Sequence, residues 1–256
     1  MRRASTELWR RLYVGVAILA AFYLLCHHCH VALLNAAVLS ISLLAQKELY
    51  AMHGESIPYA NYLVTALSLG FAAHGHGHEH VHHLCRMVYA LVVPHANLAS
   101  FGRQLFILFY TVEMAVYIVR FCTERQSEVF GLVVTISAFD TGSYLVGKAC
   151  GRHPFSRVTP SKTIEGVVGG AILALLTCKT LMRRPDSHGV VLVATALLGD
   201  RFESFIKRSV GCKDSGTVLG AHGGVMDRVD SYVFTIPTIY LLDRWWQPPS
   251  SSTGGA

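Results

Sequence analysis

The chain has few charged residues for its length. Only 15% of its 256 residues are Asp, Glu, Lys or Arg, whereas 52% are hydrophobic. A soluble globular domain carries about 25% charged residues, and one buried core does not account for a difference of this size. The composition therefore argues against a soluble protein. It predicts that most of the chain lies in lipid as a single membrane domain of packed apolar helices.

A disulfide framework is also lacking. The seven cysteines are an odd number, and most of them lie inside or beside apolar stretches, unlike the paired cysteines of small secreted domains. Cys26 and Cys29 form a C-x-x-C, but no second pair and no βαβ pattern accompany it. A redox or zinc role is therefore disfavoured, and both residues are interpreted as small helix residues.

The sequence has no basic patch of the kind that binds nucleic acid. Its net charge is +6, and such a balance can indicate nucleic acid, an anionic membrane surface or a phosphorylated substrate. Here the basic residues lie in short loops between apolar runs. No nucleic-acid partner is expected. The lipid bilayer and a phosphorylated substrate remain as the expected partners of the basic residues.

Long apolar runs are what the sequence has in abundance. A membrane-spanning helix needs about 20 residues, with a range of about 17–25. The run at 189–199 is too short alone, but it continues into a polar segment that extends the helix. The pattern predicts an all-α polytopic membrane protein with eight or nine transmembrane helices. The runs are 12–26, 30–46, 57–73, 84–98, 104–122, 128–147, 164–182, 189–199 and 229–243.

The N-terminal segment resembles a signal peptide that lacks a small-residue cleavage site, so we interpret it as a retained first helix. Four arginines in residues 2–11 place this end in the cytoplasm by the positive-inside rule. If every run crosses, the loops at 148–163 and 200–228 also face the cytoplasm. We expect an integral multi-pass protein of a bacterial inner membrane or the endoplasmic reticulum. Its expected division is one transmembrane catalytic domain at 1–247, comprising N-terminal helices at 12–122 and a catalytic region at 128–243, and a disordered tail at 248–256.

Two polar stretches interrupt the apolar pattern. Asp140 lies inside a run from Val129 to Val146, where an acid costs about 2.5–3.5 kcal/mol on insertion scales. Such a residue faces a cavity, a metal or a partner; pairing with a structural Lys or Arg is the plainer alternative. The second stretch carries a polar stripe at helical spacing. Its members are Asp200, Glu203, Ser204, Lys207 and Arg208.

Asp227 and Asp230 are three residues apart at the start of the last apolar run, beside Gly223 and Gly224. Acids are also common in the first turn of a helix because its dipole is positive there, and the polar stripe alone would suit a solvated helix face. Together, the two acidic segments suit phosphoryl or nucleotidyl transfer. Carboxylate oxygens select Mg²⁺, a second cation can assist, and Lys or Arg neutralise phosphate charge.

At these residues the sequence resembles the phosphatidate cytidylyltransferase family. The segment from Ser204 to Asp230 agrees with that family's long signature, and the stretches around Asp140 and Lys162 are also similar. The N-terminal 130 residues match only as generic membrane helices. Thr159, Ile164 and Arg201 depart from the usual pattern, which affects fine geometry and not the carboxylates or lysines. The matching signature reads SxIKRxxxxKDxGxxLGxHGGVxDRVD.

The resemblance implies transfer of a cytidylyl group from CTP to phosphatidic acid, giving CDP-diacylglycerol and pyrophosphate for phospholipid synthesis. It implies Mg²⁺ as cofactor, with a second cation as an option, and it leaves a homodimer open. The expected metal ligands are Asp200, Glu203, Asp227 and Asp230; the expected catalytic residues are Asp200, Lys207, His222 and Asp227. The expected substrate-binding residues are Asp140, Tyr144, Lys162, Thr163, Ser204, Arg208, Lys213, Gly223, Gly224 and Arg228.

Two alternative functions, a metal transporter and a lipid kinase, fit parts of the sequence. Residues 74–83 contain six histidines, and histidine is a common metal ligand, so this loop could bind zinc or copper. A transporter, however, needs ligands on facing membrane helices, and the apolar runs have no repeated His/Asp pairs. The second alternative is a CTP-dependent polyprenol or tocopherol-pathway kinase, which would transfer the γ-phosphoryl group and release CDP. The complete signature favours cytidylyl transfer.

Overall fold

The computed structural model describes residues 20, 22–28, 30–74, 81–93, 97–156, 159, 162–218 and 223–246. The first apolar run falls largely outside these residues, as do His222, most of the histidine-rich loop and the 248–256 tail. Within them, every regular element is a helix, and the only β-type contact is an isolated bridge between Pro154 and Thr163. The all-α prediction is therefore confirmed.

Residues 22–28 are helical, and eight further helices follow in the described part of the chain. Two of them contain a π-helical turn, at Phe109–Glu113 and at Cys178–Met182. In chain order the helices are α1 (Val31–Met52), α2 (Tyr59–Ala73), α3 (Val81–Val92), α4 (Leu98–Glu124), α5 (Gln126–Cys150), α6 (Ile164–Met182), α7 (Asp186–Ser209) and α8 (Met226–Trp246).

Four of these helices, α1, α4, α5 and α6, are long and apolar enough to cross a membrane. The chain is thus an integral membrane protein, but the expected count of eight or nine spans is not confirmed. Helices α2 and α3 have only 15 and 12 residues, and α7 and α8 carry several charged residues each. The apolar run at 84–98 is not one helix, because α3 ends at Val92 and α4 begins at Leu98. Pro94 in the sequence explains this break, since proline disfavours helix at the residue before it.

Helices α5 and α6 pack through small residues, which allow the backbones to approach closely in a membrane. A Cβ on Gly170 would lie 2.4 Å from the carbonyl oxygen of Phe139 and 2.1 Å from Ser143 Oγ. A Cβ on Gly142 would lie 3.0 Å from the Cα atom of Gly170. This close contact fixes the helix that carries Asp140 against the start of α6.

Helices α7 and α8 also approach closely. A Cβ on Gly199 would lie 2.2 Å from the carbonyl oxygen of Asp230, so only glycine allows this spacing. Aromatic rings fill the neighbouring space: the centroid of Phe202 lies 5.4 Å from that of Tyr110 on α4 and 5.5 Å from that of Phe234 on α8. The acidic segments around residues 200 and 230 are therefore adjacent.

At the start of α7 and the end of α8, away from Asp200 and Asp230, a group of charged side chains contacts the segment where α4 joins α5. Arg184 pairs with both Asp243 and Glu128, and Arg125 Nη1 lies 3.3 Å from Asp243 Oδ2. Asp243 is 13 residues beyond Asp230, which corresponds to about 20 Å along a helix. The polar residues of the signature thus lie at one end of the α7–α8 pair, and this ionic group lies at the other.

Candidate active site

Three carboxylates from three helices lie close enough for their charges to interact: Asp140 on α5, Asp200 on α7 and Asp230 on α8. Burial and then the negative charge of Asp200 raise the pKa of Asp230, with a further contribution from Asp140. Lys162 Nζ lies 2.9 Å from Asp200 Oδ2, and both side chains are about one-fifth exposed. The structure therefore places a basic group against Asp200, the partly exposed member of a cluster of acidic groups.

The loop between α5 and α6 positions Lys162 through backbone hydrogen bonds. Phe155 N donates to Lys162 O at 2.7 Å, and Ile164 N donates to His153 O at 2.9 Å. The hydroxyl of Thr163 accepts a hydrogen bond from Gly166 N at 3.2 Å, which makes it the N-cap of α6. Thr163 was predicted to bind substrate; in this structure its hydroxyl caps a helix.

Lys207 and Asp227 form the second basic–acidic contact, with Lys207 Nζ 2.6 Å from Asp227 Oδ1. Asp227 Oδ2 accepts from Gly224 N at 2.8 Å and from Ser215 N at 3.0 Å. Burial raises the pKa of Asp227, but Lys207 and these two backbone donors outweigh it and lower the pKa to about 2. Both carboxylate oxygens are thus engaged by the protein itself.

Glu203 lies on the same face of α7 and is only 2% exposed. It pairs with Lys207 through Oε2, while its Oε1 has no hydrogen-bond partner in the described part of the chain. Burial raises the pKa of Glu203 to about 8, even though the contact with Lys207 lowers it. Lys207 therefore holds two acidic side chains, one from its own helix and one from α8.

Glu48 on α1 is a site residue that the sequence analysis missed. It is 3% exposed, and its carboxylate accepts hydrogen bonds from Val225 N at 2.7 Å and Met226 N at 2.9 Å. Ser215 Oγ donates to Glu48 Oε2 at 2.9 Å. Glu48 thus occupies the N-terminus of α8, where unpaired N–H groups and the helix dipole favour an anion. The only sign of Glu48 in the sequence was an acidic residue just after the apolar run at 30–46.

Known proteins identify the family to which this arrangement belongs. The sequence model of the cytidylyltransferase family matches residues 9–245. The chain belongs to this family. The match confirms the resemblance that the signature from Ser204 to Asp230 indicated.

Similar proteins carry a more specific name. The phosphatidate cytidylyltransferase of Synechocystis sp. is 42% identical over 127 residues, which cover 44% of this chain and 43% of the relative. That of Aquifex aeolicus is 35% identical over 154 residues, covering 57% and 58%. That of Staphylococcus aureus (strain COL) is 38% identical over 138 residues, covering 48% and 52%. The matched part of the chain spans about half the length of these relatives.

The two glycines of the signature, Gly223 and Gly224, lie against carboxylates. Gly223 has a φ of +79°, a conformation that favours glycine. A Cβ on Gly224 would lie 2.1 Å from Ser215 Oγ and 2.6 Å from Glu48 Oε2. The glycines therefore allow the turn before α8 to close over Glu48 and Asp227, which is a structural reason for them besides the predicted contact with phosphate.

Most of the remaining predicted residues are exposed. Arg208, Lys213 and Arg228 are exposed, and Ser204 is half-buried. Arg208 Nη1 donates to Cys212 O at 2.8 Å. Tyr144 is 64% exposed, with Lys148 over its ring. Tyr144, Arg208 and Lys213 are therefore accessible to a ligand that approaches from outside the helix pair.

The carboxylates fit a divalent cation in chemistry, because hard oxygen ligands suit Mg²⁺. Among the described residues, however, no three His, Cys, Asp or Glu side chains stand close enough together to hold a metal ion. Lys162 and Lys207 occupy the positions next to Asp200 and Asp227 instead. A cation would therefore need the substrate's own phosphates to complete its coordination, as Mg²⁺ commonly does.

Proposed function

We propose that this chain transfers the cytidylyl group of CTP to phosphatidic acid, forming CDP-diacylglycerol and pyrophosphate. The observation that carries the proposal is the meeting of Asp140, Asp200 and Asp230 beside Lys162, within a helical membrane protein of the cytidylyltransferase family. The relatives named above are phosphatidate cytidylyltransferases, which supports the same substrates here.

We propose Asp200 and Asp230 as the main ligands of Mg²⁺, with Asp140 nearby and a second cation as an option. Asp227 and Glu203, the other two predicted ligands, would first have to release Lys207. When bound, Mg²⁺ would neutralise the charge of the triphosphate. The raised pKa of Asp230 supports this assignment, because clustered acids that repel one another are stabilised by a nearby positive charge.

The chemistry needs no strong general base. A phosphomonoester has its second pKa near 6 and is mostly a dianion at pH 7. An oxygen of the phosphatidic acid phosphate forms the new bond to the α-phosphorus of CTP, and the bond from that phosphorus to the bridging oxygen breaks, releasing pyrophosphate. The main difficulty is the approach of two polyanions, so positioning and charge neutralisation carry the catalysis.

Four basic residues are proposed to hold the phosphates: Lys162, Lys207, Arg208 and Lys213. Lys162 and Lys207 are ready at the carboxylates, and the other two are exposed near the end of α7. His222 stays a candidate for contact with the leaving group. Because basic residues dominate the loops on this side of the bilayer, we propose that the site faces the cytoplasm. A homodimer also stays a prediction.

The test is direct. Purified full-length chain is incubated with CTP, phosphatidic acid and Mg²⁺, and both pyrophosphate and lipid-bound cytidine are measured. Equal amounts of the two products are expected. Release of CDP together with a newly phosphorylated lipid would instead identify a lipid kinase and refute cytidylyl transfer. The Asp227→Asn variant is the matched negative control, because it keeps the size of the side chain and removes its charge.

A further inference from the structure

The loop between α5 and α6 carries Lys162, and two described parts of it, residues 151–156 and 162–163, are paired. Pro154 and Thr163 form an isolated antiparallel bridge, and the two backbone hydrogen bonds that position Lys162 flank it. A pairing of two such short segments is marginally stable at best in water. The position of Lys162 therefore depends on a further contact that holds the two parts together.

Glu165, the second residue of α6, provides this contact. Its Oε2 accepts hydrogen bonds from Arg152 N at 3.1 Å and from His153 N at 3.3 Å, and its Oε1 lies 2.6 Å from His153 Nδ1. An ionised carboxylate only accepts, so Nδ1 is the donor. Both oxygens of Glu165 thus bind residues that lie 12 and 13 positions earlier in the chain. These contacts, from Arg152 and His153 to Glu165, form a clasp across the base of the loop.

The clasp differs from the usual role of an acid at a helix start. Acids favour the first turn because the helix dipole is positive there, and Asp186 in the first turn of α7 is such a residue. Its side chain is 70% exposed, and Lys179 Nζ lies 3.9 Å from its Oδ1. The side chain of Glu165 is only 28% exposed, and the start of α6 already has Thr163 as its cap. Glu165 therefore serves the loop as well as the helix.

Close backbone packing fixes the ends of the two helices that the loop joins. A Cβ on Gly151 would lie 2.3 Å from Gly147 O, and a Cβ on Gly166 would lie 2.6 Å from Ser143 O. These contacts hold the end of α5 against the start of α6. The segment 152–155, which hydrogen-bonds to Lys162, begins beyond this packing. The clasp extends the fixed region to that segment.

We propose that Glu165 is a positioning residue for Lys162. It holds the loop through His153, so that Lys162 Nζ stays beside Asp200. Lys162 reaches Asp200 Oδ2 at 2.9 Å through a flexible four-carbon stem, so its ammonium group has a defined position only if its backbone is fixed. The inference rests on the proposed function, in which Lys162 holds phosphate, and it adds a residue that acts without touching the substrate.

Kinetics of Glu165 variants test this role. Glu165→Ala removes the clasp and should lower kcat/KM for CTP by at least about tenfold, since a displacement of about 1 Å can cost two orders of magnitude. Glu165→Gln should restore most of this loss. Its amide oxygen can accept from the two backbone N–H groups, and its NH₂ group can donate to Nδ1 in the other neutral tautomer of His153. Equal losses in the two variants would overturn the proposal.

Asp186→Ala is the matched control, because it also removes an acid from the first turn of a helix. It should leave kcat/KM for CTP unchanged. A loss as large as that of Glu165→Ala would assign the effect to the helix dipole and not to the clasp.

A double variant tests whether Glu165 acts through Lys162. Residues that act through one another have non-additive effects, so adding Glu165→Ala to Lys162→Ala should cost less than about twofold more. A further loss of about tenfold in the double variant would show that Glu165 acts by another route and would refute the positioning role.

Competitive acetylation of lysines reads the clasp without activity. Full-length chain in detergent is labelled with trace acetic anhydride, and the rate at each lysine is measured by mass spectrometry. Glu165→Ala should raise the rate at Lys162 by about threefold to fivefold, the scale of a partly exposed ion pair. The rate at Lys207, which Glu203 and Asp227 hold, should stay constant.

Two labelling results would contradict the proposal. An unchanged rate at Lys162 would show that the clasp does not hold it, and an equal rise at Lys207 would show general loosening of the protein. If wild-type chain forms no CDP-lipid, the proposed function fails by itself, whereas the labelling of Lys162 still decides whether Glu165 positions this side chain.

Discussion

Replacement of Glu48 is the sharpest test of how the site is held together. The carboxylate of Glu48 accepts hydrogen bonds from Val225 N and Met226 N at 2.7 and 2.9 Å, at a depth where only 3% of the residue is exposed. Glu48→Ala leaves both backbone donors buried without partners. Each such donor costs about 1–3 kcal/mol, so the two together destabilise the docked turn by roughly 2–6 kcal/mol.

This penalty acts on the catalytic groups because the same turn carries them. Gly224 N and Ser215 N hold Asp227, and Asp227 holds Lys207. A cost of about 3 kcal/mol lowers the ratio of docked to undocked turn by roughly two orders of magnitude. We expect Glu48→Ala to lose at least about tenfold in kcat, with a smaller change in the KM for CTP. Glu48→Gln should be intermediate, because it keeps one acceptor oxygen and turns an NH₂ group toward a backbone donor.

The assay measures CTP-dependent labelling of phosphatidic acid together with thermal unfolding of the purified chain in detergent. Glu55→Gln is the matched control, since Glu55 lies just beyond α1 and pairs with Arg103 at the surface. Exposed pairs contribute about 0–1 kcal/mol, so this variant should behave as wild type. If Glu48→Ala keeps full kcat while Glu55→Gln does likewise, Glu48 does not position the signature turn.

Three further outcomes are expected. Gly224→Ala should abolish activity, because its Cβ would lie 2.1 Å from Ser215 Oγ. The control Gly70→Ala, with nothing within 4 Å of the added carbon, should leave kcat unchanged. Equal effects of the two substitutions on kcat would contradict the close packing at Gly224. Asp200→Asn should need at least about tenfold more Mg²⁺ for half-maximal activity, and an unchanged Mg²⁺ titration would refute its role as ligand. Asp227→Asn should abolish transfer of labelled CTP into lipid while the protein stays folded in membranes. Since the pKa of Asp227 is about 2, below the value of about 3.9 in an unfolded chain, its stabilising contribution is complete above about pH 4 and is lost as pH falls through about 2. The difference in Tm between wild type and Asp227→Asn should therefore be constant between about pH 5 and 8 and shrink only under stronger acid.

The sequence by itself determined the membrane character, the helical class and the family. Apolar runs of sufficient length and a low charged fraction are properties of the chain that need no tertiary contact to be recognised. Asp140 could be selected because a carboxylate in an apolar helix is costly, and Asp200 and Asp230 could be selected from their helical spacing and the family signature. The hydropathy pattern was wrong at one helix boundary. It predicted a single helix at 84–98, but this run is divided between α3 and α4.

Only the tertiary structure decided which of these groups touch. Glu48 binds the start of α8 across 177 residues of sequence, and no periodicity within α1 distinguishes it from an ordinary acid at the end of an apolar run. Lys162 pairs with Asp200 because a loop and the close α5–α6 packing bring them together, and Thr163 is used as a helix cap. Such contacts depend on the rotation of packed helices and on the distance between them, which glycines such as Gly199 set by allowing close backbone approach. Hydropathy and sequence separation describe only residues that are near one another in the chain, so they do not predict these contacts.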